Sequence, residues 1–118
     1  MSNRWEPALR EADTLELARS DDDRIEVTGR GAAIETEVKV VTRGLHSLAI
    51  AAIRFGQIDQ VTWHVDGRTL ELAPVTAAAA PVVSAEDVRD LGALVARLAI
   101  EQLGGSVALD GETLRVEL

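Results

Sequence analysis

The segment from Glu37 to Phe55 is the feature that most constrains how this chain can fold. Its apolar residues follow helical spacing and are Val38, Val41, Leu45, Leu48, Ala49, Ala52 and Ile53. Gly56 follows directly and is expected to end the helix, because glycine commonly closes helices. We therefore predict one long central helix that is buried along one face.

Three pairs of short alternating segments predict hairpins, at residues 14–29, 61–72 and 107–118. The second and third pairs enclose Asp66-Gly67 and Asp110-Gly111, and Asp-Gly is typical of tight hairpin turns. The first pair consists of 14–18 and 24–29, joined by the acidic run Ser20–Asp23. We interpret that run as a solvated turn rather than a cation site, because no further carboxylates are predicted near it.

A second helix is predicted from Ala85 to Leu103. Ser84 fits its N-cap, Asp87 fits a capping box, and the Gly104-Gly105 pair ends it. The side chains predicted to face the core are Val88, Leu91, Leu94, Val95 and Leu98. The resulting order, ββ-α-ββ-α-ββ, predicts an α+β fold. It would be a two-layer sandwich in which helices cover one face of a mostly antiparallel sheet.

The segment from Val75 to Val83 contains Ala, Pro and Val and almost no polar side chains. Apolar surface loops often mark contact sites. Val75, Val82 and Val83, with nearby Val88 and Leu91, are therefore candidate residues of a partner-binding site or a homodimer interface. The alternative is that this segment folds over the core.

The charge and composition exclude several classes of function. The net charge is -8, from 12 basic and 20 acidic residues, so the surface is expected to repel nucleic acids and anionic membranes. Aromatic residues make up only 3%, which leaves little for base stacking, and the absence of Cys excludes disulfides and thiolate chemistry. The first ten residues do not resemble a signal peptide, so a cytoplasmic location is expected.

No arrangement of side chains predicts a catalytic or metal site. Ser47 directly follows His46, and neighbouring helical residues do not face each other. His46 and His64 are the only histidines, too few for a histidine-based metal centre. Phosphate transfer through His46 is the alternative to a plain surface histidine, and we predict that His46 is not a phosphate carrier.

Three stretches, at residues 45–56, 61–72 and 94–118, resemble the ATP-binding domain of bacterial histidine kinases, which has the GHKL or Bergerat fold. The first is similar to that family's central helix and the second to its middle strand pair. The third is similar to its last helix, the Gly-Gly stop and the closing hairpin. The resemblance covers residues 13–118 and leaves residues 1–12 as an N-terminal arm.

The positions that bind nucleotide in that family differ in this chain. Ala51 stands where the family has the Asn that holds magnesium, and Ser47 lies one turn earlier. Residues 73–81 lack the Asp and the glycines of the family's Asp-x-Gly-x-Gly motif. Of the Gly-rich turn before the last helix, only Gly92 remains. Phosphate binding needs such donors or a metal with oxygen ligands, so we expect no bound ATP, metal or other cofactor.

This degenerate pattern is similar to that of the pseudo-kinase histidine phosphotransferases of bacterial phosphorelays, whose inactive ATP domain helps to bind a receiver domain. We therefore expect a non-catalytic protein-interaction module of two-component or phosphorelay signalling. Its partner would be a receiver domain, a kinase or a second copy of the chain, and neither nucleic acid nor a membrane. The alternatives are a divergent nucleotide-binding kinase or ATPase of the same fold, and an unrelated anti-sigma-antagonist-type regulatory domain.

Overall fold

The computed structural model describes residues 9–84 and 90–118. These residues form the strands β1 (Leu9–Asp13), β2 (Ile25–Gly31), β3 (Ala33–Glu37), β4 (Val61–Gly67), β5 (Thr69–Ala73), β6 (Ser106–Asp110) and β7 (Thr113–Glu117). Their helices are α1 (Thr14–Ala18), α2 (Val38–Gly56), α3 (Ala80–Val83) and α4 (Leu91–Gln102).

Most strands belong to one mixed sheet with the order β2-β4-β5-β7-β6. β2 runs parallel to β4, whereas the other neighbours in this sheet are antiparallel. β1 and β3 form a separate antiparallel pair. The chain is thus an α+β protein with a mostly antiparallel sheet and helices, which confirms the predicted fold class. This sheet differs from the parallel-type β-α alternation expected of an anti-sigma-antagonist domain.

One face of the large sheet forms the floor of the core. Its buried side chains are Val61, Trp63, Val65, Leu70, Leu72, Leu114 and Val116. Intervening residues such as His64 and Arg115 are exposed, as the period of two in a strand requires. Trp63 therefore faces the core, and His64 lies on the outer face, where its Nδ1 is 3.3 Å from the hydroxyl of Thr28.

The predicted central helix is confirmed as α2. Its buried residues include Val41, Leu45, Leu48 and Ala52, so the helical spacing places one apolar face against the sheet. Gly56 is its last residue, and Gln57 closes it with a left-handed φ of 55°. A Cβ on Gly56 would lie 2.9 Å from Thr76 Oγ1, so glycine is needed there for close packing rather than as the cap.

The predicted first hairpin is wrong. Residues 14–18 form α1, whose N-cap Asp13 accepts a 2.8 Å hydrogen bond from the Leu15 amide. The Thr14 hydroxyl donates to the Gly67 carbonyl over 2.6 Å and accepts from the Ala32 amide over 3.0 Å. Five alternating residues are too few to separate helix from strand, and the cap with the buried threonine decides for the helix.

The predicted start of the second long helix is also wrong. α4 begins at Leu91, and Asp90 is its N-cap, accepting from the Ala93 amide over 3.2 Å. Asp90 has extended backbone angles, so α4 does not extend back through Asp90, and the predicted start at Ala85 lies outside the described residues. Ser84 instead follows α3 as its C-cap, and Asp87 lies outside the described residues.

Strand β1 includes residues 9–12 of the predicted N-terminal arm. Leu9 to Asp13 pair with Glu37 to Ala33 of β3, so the ordered pairing begins at least as early as Leu9. Among the helices that the structure describes, none is long and apolar enough to cross a bilayer.

Candidate functional site

The position at which the resembled family has its magnesium ligand is buried in this chain. Ala51 lies on α2 and is completely buried, and its methyl group offers no oxygen. The segment from Val75 to Val83 belongs to the same apolar core and packs against α2 through α3. It is fixed at the C-terminal end of α2, where the Thr76 hydroxyl donates to the Gly56 carbonyl over 3.4 Å.

The candidate partner residues of this segment are buried rather than exposed. Val75, Val82 and Val83 belong to the core, as does Ala79 between them. The Val75 amide donates to the Glu112 carbonyl over 2.7 Å, so this buried amide has a hydrogen-bond partner where the segment leaves the sheet. The alternative in which this segment folds over the core therefore holds, and we do not assign partner contact to these three valines. Val88 lies outside the described residues.

Helix α4 turns its large aliphatic side chains outward. Leu91, Val95 and Leu98 are 67%, 62% and 50% exposed, so the prediction that they face the core is wrong. The buried residues of α4 are Ala93, Ala96 and Ile100.

Small residues explain this orientation of α4. A Cβ built on Gly44 of α2 would lie 3.5 Å from the Ala96 Cβ and 3.6 Å from its Cα. The two helices therefore approach each other through Gly44 and Ala96, and the small size of both residues allows this close approach. The prediction from hydrophobicity alone placed the larger side chains on the inner face. The close packing of the two helices places the smaller ones there instead.

An apolar groove of about 370 Å³ runs between α2 and α4. Its lining residues are Val40, Arg43, Gly44, Ser47, Leu91, Gly92, Val95, Ala96 and Ala99. Leu91, the remaining candidate partner residue, is thus exposed beside a groove. Ser47 and Gly92, two positions that the resemblance relates to nucleotide binding, line the same groove.

A second and more polar cavity, of about 800 Å³, lies beside the N-terminal half of α2. Its lining residues are Arg19, Ser20, Asp21, Val38, Lys39, Thr42, Arg43 and His46. His46 is exposed, and its Nδ1 is 3.2 Å from the Ser20 hydroxyl. The sequence analysis missed this cluster, although Lys39, Arg43 and His46 have the i, i+4, i+7 spacing of one helix face.

An ion pair organises the acidic turn. Arg24 Nη2 lies 2.7 Å from Asp22 Oδ2, and Arg24 Nε donates to Oδ1 over 3.0 Å. No group of three or more His, Cys, Asp or Glu residues within 9–84 and 90–118 is arranged to hold a metal ion.

Hydrogen bonds from the Arg24 side chain and backbone lower the pKa of Asp22 to about 2. A lowered carboxyl pKa means that the contact stabilises the folded chain above the ordinary value of about 3.9 and is lost as the pH falls through about 2. In a carboxyl-detected NMR titration, Arg24→Ala is expected to return the pKa of Asp22 toward the ordinary value. Arg19→Ala, which removes the pair with Glu16 instead, is the matched control. An unchanged Asp22 pKa in Arg24→Ala would contradict this assignment.

Solved structures resemble this chain over nearly its whole length. The ATP-binding domain of PrrB from Mycobacterium tuberculosis matches with a TM-score of 0.69 and 15% identity, over 94% of this chain and 96% of that one. The cytoplasmic segment of histidine kinase QseC matches with a TM-score of 0.62 and 13% identity, over 93% of this chain and 77% of that one.

The mycobacterial sensor histidine kinase MprB matches with a TM-score of 0.57 and 13% identity, over 92% of this chain and 94% of that one. No protein-family profile and no curated protein sequence matches the chain. The structural likeness at this low identity concerns the fold. The chain has the fold of histidine kinase ATP-binding domains, the GHKL ATPase fold.

Proposed function

We propose that this chain is a non-catalytic protein-interaction module of bacterial two-component or phosphorelay signalling. One observation carries the proposal: apolar side chains are buried where the resemblance places the magnesium ligand and, within and next to residues 73–81, the Asp-x-Gly-x-Gly motif. They are Ala51 on α2 and Val75, Val82 and Val83 on the segment that packs against α2. Likeness to the pseudo-kinase histidine phosphotransferases, whose inactive ATP domain helps to bind a receiver, suggests the kind of partner.

Magnesium ATP requires oxygen ligands for the metal and hydrogen-bond donors for the phosphates. Ala51 supplies neither, and the valines of the segment 75–83 add only apolar surface. The first turn of α4 has one amide donor fewer for a phosphate, because its Ala93 amide already donates to the Asp90 carboxylate. Placing phosphate charges beside such groups without partners would cost several kcal/mol for each charge, and this cost opposes nucleotide binding.

The exposed row on α4, formed by Leu91, Val95 and Leu98 and called here the α4 stripe, is the surface that we assign to the partner. Its residues follow i, i+4, i+7 spacing, and the apolar groove runs along one side of it. This arrangement suits an amphipathic helix of a partner protein, with one apolar side chain inserted in the groove.

The dimensions of α4 favour a transient contact. The helix has 12 residues, which corresponds to a length of about 18 Å. A stable interface buries about 800 Å² on each partner, and one face of so short a helix is smaller than that. We therefore propose a signalling partner, a receiver domain or a kinase, rather than a permanent homodimer through α4 alone.

Titration with an ATP analogue and magnesium tests the non-catalytic assignment. Isothermal titration calorimetry is expected to give no saturable heat, because Ala51 provides no metal ligand and the region beside it is filled by core side chains. An intact histidine kinase ATP-binding domain serves as the positive control, and magnesium chloride alone as the blank. A dissociation constant in the micromolar range would overturn the proposal and favour the divergent nucleotide-binding kinase or ATPase.

A further inference from the structure

The polar cavity beside α2 concentrates positive charge on a chain that is otherwise acidic. The chain has 12 basic residues and a net charge of -8. Three of those basic residues, Arg19, Lys39 and Arg43, line this one cavity together with His46, against the single carboxylate of Asp21. Such a local reversal of sign attracts anions that the remaining surface repels.

Two separate segments build this cavity. Lys39, Arg43 and His46 lie on one face of α2, within its first nine residues. Arg19 and Ser20 come from the segment after α1, and the contact between Ser20 Oγ and His46 Nδ1 at 3.2 Å joins the two walls. The cavity is therefore a product of the tertiary fold and not of one charged helix.

The counter-charges nearby leave two cations available. Arg19 is paired with Glu16, with 2.9 Å between Nη1 and Oε1. Neither Lys39 nor Arg43 forms an ion pair within residues 9–84 and 90–118. These two side chains are expected to dominate the attraction of a ligand, with Asp21 and the nearby Asp22, which interacts electrostatically with His46, opposing it.

The donors match an oxyanion with several acceptor atoms. Two guanidinium groups, an ammonium group, an imidazole and the Thr42 hydroxyl line the same cavity. Phosphate accepts hydrogen bonds through several oxygens and forms charge-assisted bonds with Arg and Lys. We propose that this cavity binds a phosphate-type oxyanion, either free phosphate or the phosphoryl group of an acyl phosphate.

This cavity adjoins the groove that Ser47 and Gly92 line, and Arg43 lines both. Ala51 lies in the second half of α2 and is buried, whereas the cavity opens beside the first half of that helix. Because the proposal does not use the α4 stripe or require a nucleotide, it does not depend on the proposed function. Because Arg43 lines both the cavity and the groove, Lys39→Ala, which changes the cavity alone, is the variant that separates phosphate binding from partner docking.

NMR titration of the ¹⁵N-labelled chain at constant ionic strength tests the proposal. Inorganic phosphate is expected to shift the amides of residues 19–21 and 38–46 saturably, while sodium chloride and acetate at equal concentration do not. Acetyl phosphate is the second probe. Tighter binding of acetyl phosphate than of phosphate assigns the site to an acyl phosphate, and equal binding assigns it to free phosphate.

Matched variants distinguish specific binding in this cavity from nonspecific attraction by surface charge. Lys39→Ala and Arg43→Ala are each expected to weaken phosphate binding at least about fivefold, which corresponds to about 1 kcal/mol. Arg115→Ala removes an exposed arginine on the outer face of β7, away from the cavity lining, and should leave the affinity unchanged. Absence of saturable shifts, equal shifts with acetate, or equal weakening by Arg115→Ala would overturn the proposal.

Discussion

Val82→Asp is expected to unfold the domain, whereas the same substitution at Val95 is expected to leave it folded. Val82 is 0% exposed in the core, and Val95 is 62% exposed on the α4 stripe. A carboxylate at Val82 has no polar partner in its apolar surroundings. It must either remain charged without compensation or take up a proton and still lack hydrogen bonds.

The size of these effects follows from burial. A buried polar group without partners costs several kcal/mol, and we expect Val82→Asp to destabilise the domain by more than about 4 kcal/mol. That is a large part of the total stability of about 5–15 kcal/mol that single domains have. At Val95 the carboxylate stays in water, so the expected change in the free energy of unfolding is below about 1 kcal/mol.

Two measurements on the same variants distinguish the roles of these valines. Urea denaturation followed by circular dichroism gives the free energy of unfolding. Biolayer interferometry against receiver domains and kinases encoded by the same genome gives association, and analytical ultracentrifugation reports self-association. Val95→Asp is expected to weaken the partner contact at least about tenfold, in the manner of an interface anchor.

The possible outcomes are clearly separated. A folded Val82→Asp variant would mean that the segment 75–83 is not core, and the region beside Ala51 would again be open to a ligand. A folded Val95→Asp variant with unchanged association would remove the α4 stripe from the proposed interface. If the wild-type chain sediments as a dimer that Val95→Asp dissociates, the stripe is a contact between copies of the chain instead.

Long periodic segments and Asp-Gly turns were predictable from the sequence. The apolar spacing over α2 extends through about five turns, and only a helix places all of these apolar residues on one face. The turns at Asp66-Gly67 and Asp110-Gly111 connect β4 to β5 and β6 to β7 as predicted. Both patterns involve residues that are close together in the sequence, so they predict local structure without knowledge of the tertiary contacts.

The failed predictions depended on contacts between distant residues. α1 forms where Thr14 bonds to Gly67 and Ala32, neither of which is near it in sequence. The inner face of α4 contacts Gly44, a residue of another helix, through the small residue Ala96. The cationic cavity likewise needs Arg19 and Ser20 beside α2. Its helical half, Lys39, Arg43 and His46, was visible in the sequence as an i, i+4, i+7 row.

Gly29 offers a severe test of the pairing between β2 and β4. It is exposed, and surface substitutions usually change stability by less than about 0.5 kcal/mol. However, its φ is +104°, and a Cβ built on it would lie 2.0 Å from the Val65 carbonyl oxygen. Gly29 pairs with Val65 in the parallel register of the two strands. A side chain there would therefore collide with backbone that cannot rotate away.

Gly29→Ala is expected to destabilise the domain by about 3 kcal/mol or more, because positive-φ strain and a backbone clash act together. Gly67→Ala is the matched control, since Gly67 also has a positive φ, +64°, but a Cβ at that position would meet nothing within 4 Å. That variant carries the backbone strain alone, at about 1 kcal/mol. Urea denaturation of both variants isolates the steric part as their difference. Equal destabilisation would mean that β2 moves away from β4 at no cost, which would contradict a rigid parallel pairing at this edge of the sheet.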